Sequence, residues 1–214
     1  MATHLDLEEQ EQLDQLKHFW NKWGTLITTV LVIVLGGFAV WNGYQYWQNR
    51  QGLQASALGA AVETALDSGD KARIDQAFSD MRSSYGGTVQ AAQAGLLVAK
   101  AASDKGQMED AKSALTWVVD NASDEGLKAT ARIRLASVLL SSQAYDEALK
   151  QLEAKMPTEF DALVADRQGD VYLAKGDKAK AIEAYRSAYQ KSAPGLEYRN
   201  VISVKLNALG EDVK

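Results

Sequence analysis

The sequence predicts an all-α protein in two parts: one apolar helix long enough to span a membrane, then a solenoid of repeated helix pairs. Three observations carry that expectation. An uncharged run with aromatic flanks lies near the amino terminus, a turn-and-alanine pattern recurs downstream, and no stretch alternates apolar and polar residues as a half-buried strand would. The 214 residues are 24% charged and 46% hydrophobic with two prolines, the composition of a folded, helix-rich chain rather than a disordered one. A net charge of −5 with no visible basic face argues against nucleic acid as a main partner, because phosphate binding needs concentrated cations.

Residues 1–22, which open with "MATHLDLEEQEQLD", form a short acidic segment expected on the cytoplasmic side. From Trp23 to Asn49 no side chain is charged, and residues 23–47 are assigned to the transmembrane helix. Thr25 to Val40 contains ten Leu, Ile, Val or Phe residues. At about −0.3 to −0.6 kcal/mol each, they favour insertion by roughly 3 to 6 kcal/mol, enough to cover the threonines. Thr28 and Thr29 are expected to bond back to their own helix carbonyls. Trp23 to Trp41 measures roughly 28 Å as a helix, close to the hydrocarbon thickness of about 30 Å. Trp20 and Trp23 mark one interface; Trp41, Tyr44, Tyr46 and Trp47 mark the other.

The acidic leader and the length of the apolar core argue for an uncleaved anchor, although Ala55-Ser56-Ala57 has the form of a signal-peptidase site. Lys17 and Lys22 precede the span and only Arg50 follows it closely, a slim positive-inside bias for a cytoplasmic amino terminus. Gly36, Ala39 and Gly43 form one small-residue strip, a candidate helix contact in the membrane. Glycines are also common in spanning helices, and both readings stand.

Residues 48–214 are expected to hold about four helix pairs and a capping helix. The segments "SGDKARIDQAF", "KGQMEDAKSAL", "SQAYDEALKQL" and "KGDKAKAIEAY" align on turn positions Gly69, Gly106, Gln143 and Gly176, at intervals of 37, 37 and 33 residues. Seven residues before the turn stand Val62, Ala99, Ala136 and Gly169. Five after it stand Ile74, Ala111, Ala148 and Ala181; nine after it, Phe78, Leu115, Leu152 and Tyr185. Small residues facing one another let two antiparallel helices approach, and the large residue fills the groove to the next pair. A period near 34 with this pattern is tetratricopeptide-like. One pair cannot bury its own apolar face, so the unit is repeated until stacking makes a continuous core. Chance periodicity among alanine-rich helices is the alternative.

The first unit is degenerate, with Val62 and Ile74 where small residues belong, as terminal units often are. Thr158 and Asp161 suggest a capping box and Ser123 an N-cap. Ser192 to Gly195 should end a helix, and Leu196 to Leu209 should form the last one, with Val201, Val204, Leu206 and Leu209 covering the open end of the stack.

No phosphate-binding loop, dinucleotide fingerprint, metalloprotease motif or nucleophile elbow occurs, and cysteine is absent. The only histidines, His4 and His18, precede the span. No catalytic residue, cofactor or metal site is therefore expected. Asp166 and Asp170 read as a solvated helix face, and Ser203 with Lys205 as an ordinary pair. Binding is left, on the concave surface that first helices of the pairs line. Gln93, Lys100, Arg134, Ser137, Asp166 and Asp170 are the candidates, with mixed charge and no Lys/Asn cluster for gripping a terminal carboxylate.

The acidic leader, the single span followed by "YQYWQNRQ", then "SDEGLKATARIRLASVLL", "DALVADRQGDVYLAKGDKAKA" and "SVKLNALG" together closely resemble the ancillary SecYEG translocon subunit of bacteria, the YfgM-like family. The resemblance covers nearly the whole chain. It implies a single-pass inner-membrane protein with its repeat domain in the periplasm. It also implies association with SecYEG and with a membrane-anchored periplasmic chaperone of the PpiD type, to which translocated polypeptides would be passed. It supplies no catalytic and no contact residue. A structural scaffold for another envelope or division complex is the alternative, and a hydrolase with an unrecognised site a remote third.

Overall fold

The computed structural model describes residues 7–212 and contains nine α-helices and no strand among them. They are α1 (Leu7–Ser68), α2 (Lys71–Tyr85), α3 (Val89–Asp104), α4 (Met108–Asn121), α5 (Glu125–Ser141), α6 (Tyr145–Glu153), α7 (Asp161–Ala174), α8 (Lys178–Lys191) and α9 (Glu197–Ala208). The start of the acidic leader, with His4, lies outside the described residues. The chain divides between Arg50 and Gln51 into two units.

In the first unit, α1 carries the apolar run. Only 6% of its most apolar 18-residue window is buried, so it is not the core helix of a soluble domain. It is long and apolar enough to cross a membrane. Three polar side chains of the apolar run bond back to their own helix. Thr28 Oγ1 donates to the Gly24 carbonyl (2.7 Å), Thr29 Oγ1 to Thr25 (2.7 Å) and Asn42 Nδ2 to Phe38 (2.9 Å). Such back-bonding lowers the cost of a hydroxyl or amide in lipid.

In the second unit α3 pairs with α4, α5 with α6 and α7 with α8, while α9 packs on α8. The end of α1 and α2 make the loosest pair, joined to the common core through Val62, Ile74 and Phe78. The turn positions read from the sequence are the left-handed residues of the structure: Gly69 (φ 69°), Gly106 (72°), Gln143 (59°) and Gly176 (89°). Three of them close Schellman motifs. The amides of Gln107, Ala144 and Asp177 reach back to the carbonyls of Ala102, Leu139 and Tyr172 at 2.9, 2.8 and 2.9 Å.

The small-residue positions are buried as the pattern requires: Ala99 and Ala136 at 1%, Ala111, Ala148 and Ala181 at 0%. So are the groove-filling Phe78, Leu115, Leu152 and Tyr185. In the degenerate first pair, Val62 and Ile74 are buried instead. An open trough of about 540 Å³ separates α1 from α2 there, lined in part by Leu58, Ala61 and Ala77. Between pairs, exposed ion pairs step along one edge: Lys71–Asp110 (2.7 Å), Lys112–Glu147 (3.3 Å) and Lys175–Asp146 (2.6 Å). Each contributes little alone; together they favour one register.

Two expectations about helix ends and one about a helix face are corrected. Asp124, not Ser123, caps α5, accepting the Leu127 amide at 2.8 Å. The Ser123 hydroxyl instead reaches the Gly87 carbonyl of the preceding pair. Thr158 and Asp161 form no capping box, because Thr158–Phe160 is a 3-10 turn and α7 begins at Asp161 without a side-chain cap. On α9 the burying face is Ile202 and Leu206, both fully buried, with Leu209 partly so. Val201 and Val204 point outward at 50% and 65% exposure.

Candidate functional site

Two clusters gather the predicted site residues of the repeat unit. The first is a trough of about 380 Å³ between α3 and α5. Its floor is Ala99, Met108, Leu115 and Val138, and its rim carries Lys100, Ser103, Arg134, Ser137 and Ser141. α3 packs on α5, and the small side chain of Ala99 leaves room on the floor. Lys100 and Arg134 stand on facing rims. Lys100 pairs with Asp104 on its own helix (2.6 Å, both well exposed). Arg134 is exposed and has no ion pair or hydrogen bond with any described residue. Ser137 and Ser141 donate to the carbonyls of Ile133 and Ser137, each at 3.1 Å, which leaves their oxygens free to accept. Gln93, near the start of α3, is exposed but does not line the trough.

The second cluster overturns the reading of Asp166 and Asp170 as a solvated face. Asp166 is 1% exposed. It accepts from the Tyr198 hydroxyl and from Lys205 Nζ, both at 2.7 Å. Asp170 accepts from Lys205 Nζ (2.7 Å), the Tyr185 hydroxyl (2.8 Å) and Arg167 (2.7 Å). Lys205 also lies 5.2 Å from the centre of the Tyr185 ring. Burial, and then the carboxylate each hydroxyl faces, push Tyr185 and Tyr198 above the ordinary tyrosine range. Lys205 between the two carboxylates and Arg167 on Asp170 together balance both charges, and two phenols close the cluster. The cluster ties α9 to α7; Asp166 is closed to a ligand by burial, and Asp170, its side chain 17% exposed, already accepts three hydrogen bonds.

Lys205 is thus the centre of this network, although its sequence setting marks it as ordinary. It lies 39 residues from Asp166, and no local spacing signals such a contact. The apolar floor of the trough is equally silent in the sequence, because its residues read as repeat core.

In the first unit, Gly36 and Gly43 are open: a Cβ on either would meet nothing within 4 Å. Ala39, the third residue of the strip, is exposed as well. Among the described residues no three His, Cys, Asp or Glu side chains come together as metal ligands would.

Comparison with known proteins agrees with this architecture. Residues 17–211 match the family model described as a tetratricopeptide repeat-like domain. The chain is 33% identical to the ancillary SecYEG translocon subunit of Neisseria gonorrhoeae, over 98% of this chain and 100% of that protein. The proteins of that description from Haemophilus influenzae and Escherichia coli are 31% and 27% identical, over 95% and 94% of this chain and 98% and 96% of theirs. No solved structure matches. With a tetratricopeptide-like model spanning nearly its whole length and full-length relatives at this identity, the chain belongs to the family of ancillary SecYEG translocon subunits.

Proposed function

We propose that this protein is a non-enzymatic, membrane-anchored adaptor of the SecYEG translocon. Its amino terminus lies in the cytoplasm and its repeat unit in the periplasm, where it helps pass translocated polypeptides to a membrane-anchored chaperone of the PpiD type. The observation that carries this reading is full-length kinship with ancillary translocon subunits in a chain built from one apolar span and a stack of helix pairs. The slim lysine excess before the span supports the orientation. Stacked helix pairs offer contact surface and little else, and tethering them beside the channel raises their effective concentration at its exit, so weak contacts suffice.

Site-specific photocrosslinking tests the reading. A crosslinker at Gly36, Ala39 or Gly43 of the full chain in native membranes should yield adducts with a SecYEG subunit. Adducts that persist unchanged in membranes depleted of SecYEG, or an absence of channel adducts from every position, would overturn it.

A further inference from the structure

We propose that the trough between α3 and α5 is a docking site for an acidic, leucine-rich peptide segment of a partner protein, whose carboxylates are held by Arg134 and Lys100. The proposal deepens the adaptor reading and rests on it. Its starting point is the engagement of both Asp166 and Asp170 by Lys205, with Asp166 buried. By sequence the concave surface carries mixed charge, but both aspartates are spent on Lys205, Tyr185 and Tyr198 beneath α9. The charged side chains that line the trough are then Lys100 and Arg134, with no acidic side chain among its lining residues. A cationic rim on a chain of net charge −5 is a local reversal of sign.

The two cations are not equivalent. Arg134 has no partner among the described residues, and its planar fork suits bidentate capture of a carboxylate. Lys100 holds Asp104 in an exposed pair, with side chains 65% and 62% accessible. Exposed pairs of this kind contribute little, so a ligand carboxylate exchanges for Asp104 at small cost. Between the cations, Ala99, Met108, Leu115 and Val138 form a floor for apolar side chains. Met108 adds adaptability, since its thioether repacks readily. The Ser137 and Ser141 hydroxyl oxygens, their protons turned into their own helix, accept from peptide amides. An apolar floor, cationic rims and acceptors along one side match a peptide that alternates leucine and glutamate. A purely polar anion would leave the floor unused, and a purely apolar segment would leave Arg134 unpaired.

The test uses the full chain in detergent micelles and a fluorescent peptide of alternating leucine and glutamate. Binding should saturate and weaken with added salt. Arg134→Glu and Lys100→Glu should each weaken it by about tenfold or more, while Arg134→Lys keeps most of it. Replacing glutamate by lysine, or leucine by serine, in the peptide should abolish it. Both cations are exposed, so retained helicity confirms that the variants fold. Equal binding to the Arg134→Glu variant, or binding that survives loss of the peptide's carboxylates, would overturn the proposal. So would capture of anionic lipid vesicles, rather than the peptide, through these two residues. Crosslinks from the membrane strip to SecYEG are read separately in the same variants. Their persistence alongside failed peptide binding overturns the docking site alone, and their absence overturns the adaptor reading.

Discussion

The Tyr185 ring lies against Gly169, so close that a Cβ on the glycine would come within 2.5 Å of Cε1, 2.6 Å of Cδ1 and 2.9 Å of Cζ. Real Cβ contacts are never that short, and the ring cannot retreat. Its hydroxyl is bonded to Asp170 (2.8 Å), and the side chain is 1% exposed. The closest approach of α7 and α8 is set by this one missing methyl.

Gly169→Ala should therefore destabilise the protein by about 1 to 2 kcal/mol, an overpacking cost partly offset by alanine's better helix propensity. In a Tyr185→Leu background the ring is gone and the sign should reverse, leaving the propensity gain of about 1 kcal/mol. Urea unfolding of the four chains of that double-mutant cycle measures the coupling. Additive effects would show that the ring and the glycine are not in register.

Gln143 has φ 59°, a left-handed conformation that side chains with a Cβ adopt at a cost of about 1 to 2 kcal/mol. The structure holds glycine at the matching position of the other three pairs, Gly69, Gly106 and Gly176. Gln143→Gly should stabilise the third pair by about 1 kcal/mol, less than the full strain because glycine is freer in the unfolded chain. Gly176→Ala should lose a similar amount. The midpoint of thermal unfolding should move in opposite directions for the two variants.

These turns and contacts differ in how legible they are from sequence. A left-handed turn demands an unusual residue at a fixed spacing, so Gly69, Gly106 and Gly176 announce themselves, and the spacing then locates Gln143. The alanine positions are legible for the same reason, because close helix approach allows few residue types. The face of α9 is not. Val201 and Val204 make one apolar stripe and Ile202, Leu206 and Leu209 another, and helical periodicity fits both; only packing on α8 selects the second. Asp166 and Asp170 mislead, because carboxylates one turn apart usually face water. The cation that pairs with them sits on the last helix, and contacts across 39 and 35 residues leave no local trace. Of the candidate binding residues, Lys100, Arg134 and Ser137 share one trough, while Gln93 lies outside it.

Lys205 bridges Asp166 and Asp170 at 2.7 Å each, and Asp166 is buried. Removing the cation leaves a carboxylate without its counter-charge, so Lys205→Met should cost about 3 kcal/mol or more. The simultaneous change Lys205→Met, Asp166→Leu removes both charges and should recover part of that loss, with the Tyr198 hydroxyl still unpaired. Because α9 is what the network holds, the loss should be local. Amides of α8 and α9 should exchange hydrogen faster, while those of α3 to α5 keep their protection. A uniform rise in exchange throughout the stack would contradict this account.

Tyr185 and Tyr198 extend the same network to high pH. Burial, then the hydrogen bonds to Asp170 and Asp166, favour the neutral phenol in the folded chain, so both groups titrate above the ordinary tyrosine value of 10.0. In the unfolded chain they ionise near that value. A folded pKa raised above the unfolded one contributes stability that is fully present below about pH 10 and is lost as pH rises through and beyond it. The stability contributed by this pair should be flat across neutral pH and fall steeply on the alkaline side. Tyr198→Phe should lower stability at neutral pH by removing a hydrogen bond to a buried carboxylate, and should make the alkaline fall shallower by removing one titrating group. Tyrosinate absorbance gives an independent reading. Of the eight tyrosines in the chain, Tyr185 and Tyr198 should ionise only as α9 is released, together with the loss of helical signal. If all eight ionise in one step while the helical signal is intact, the two phenols are not held by the aspartates.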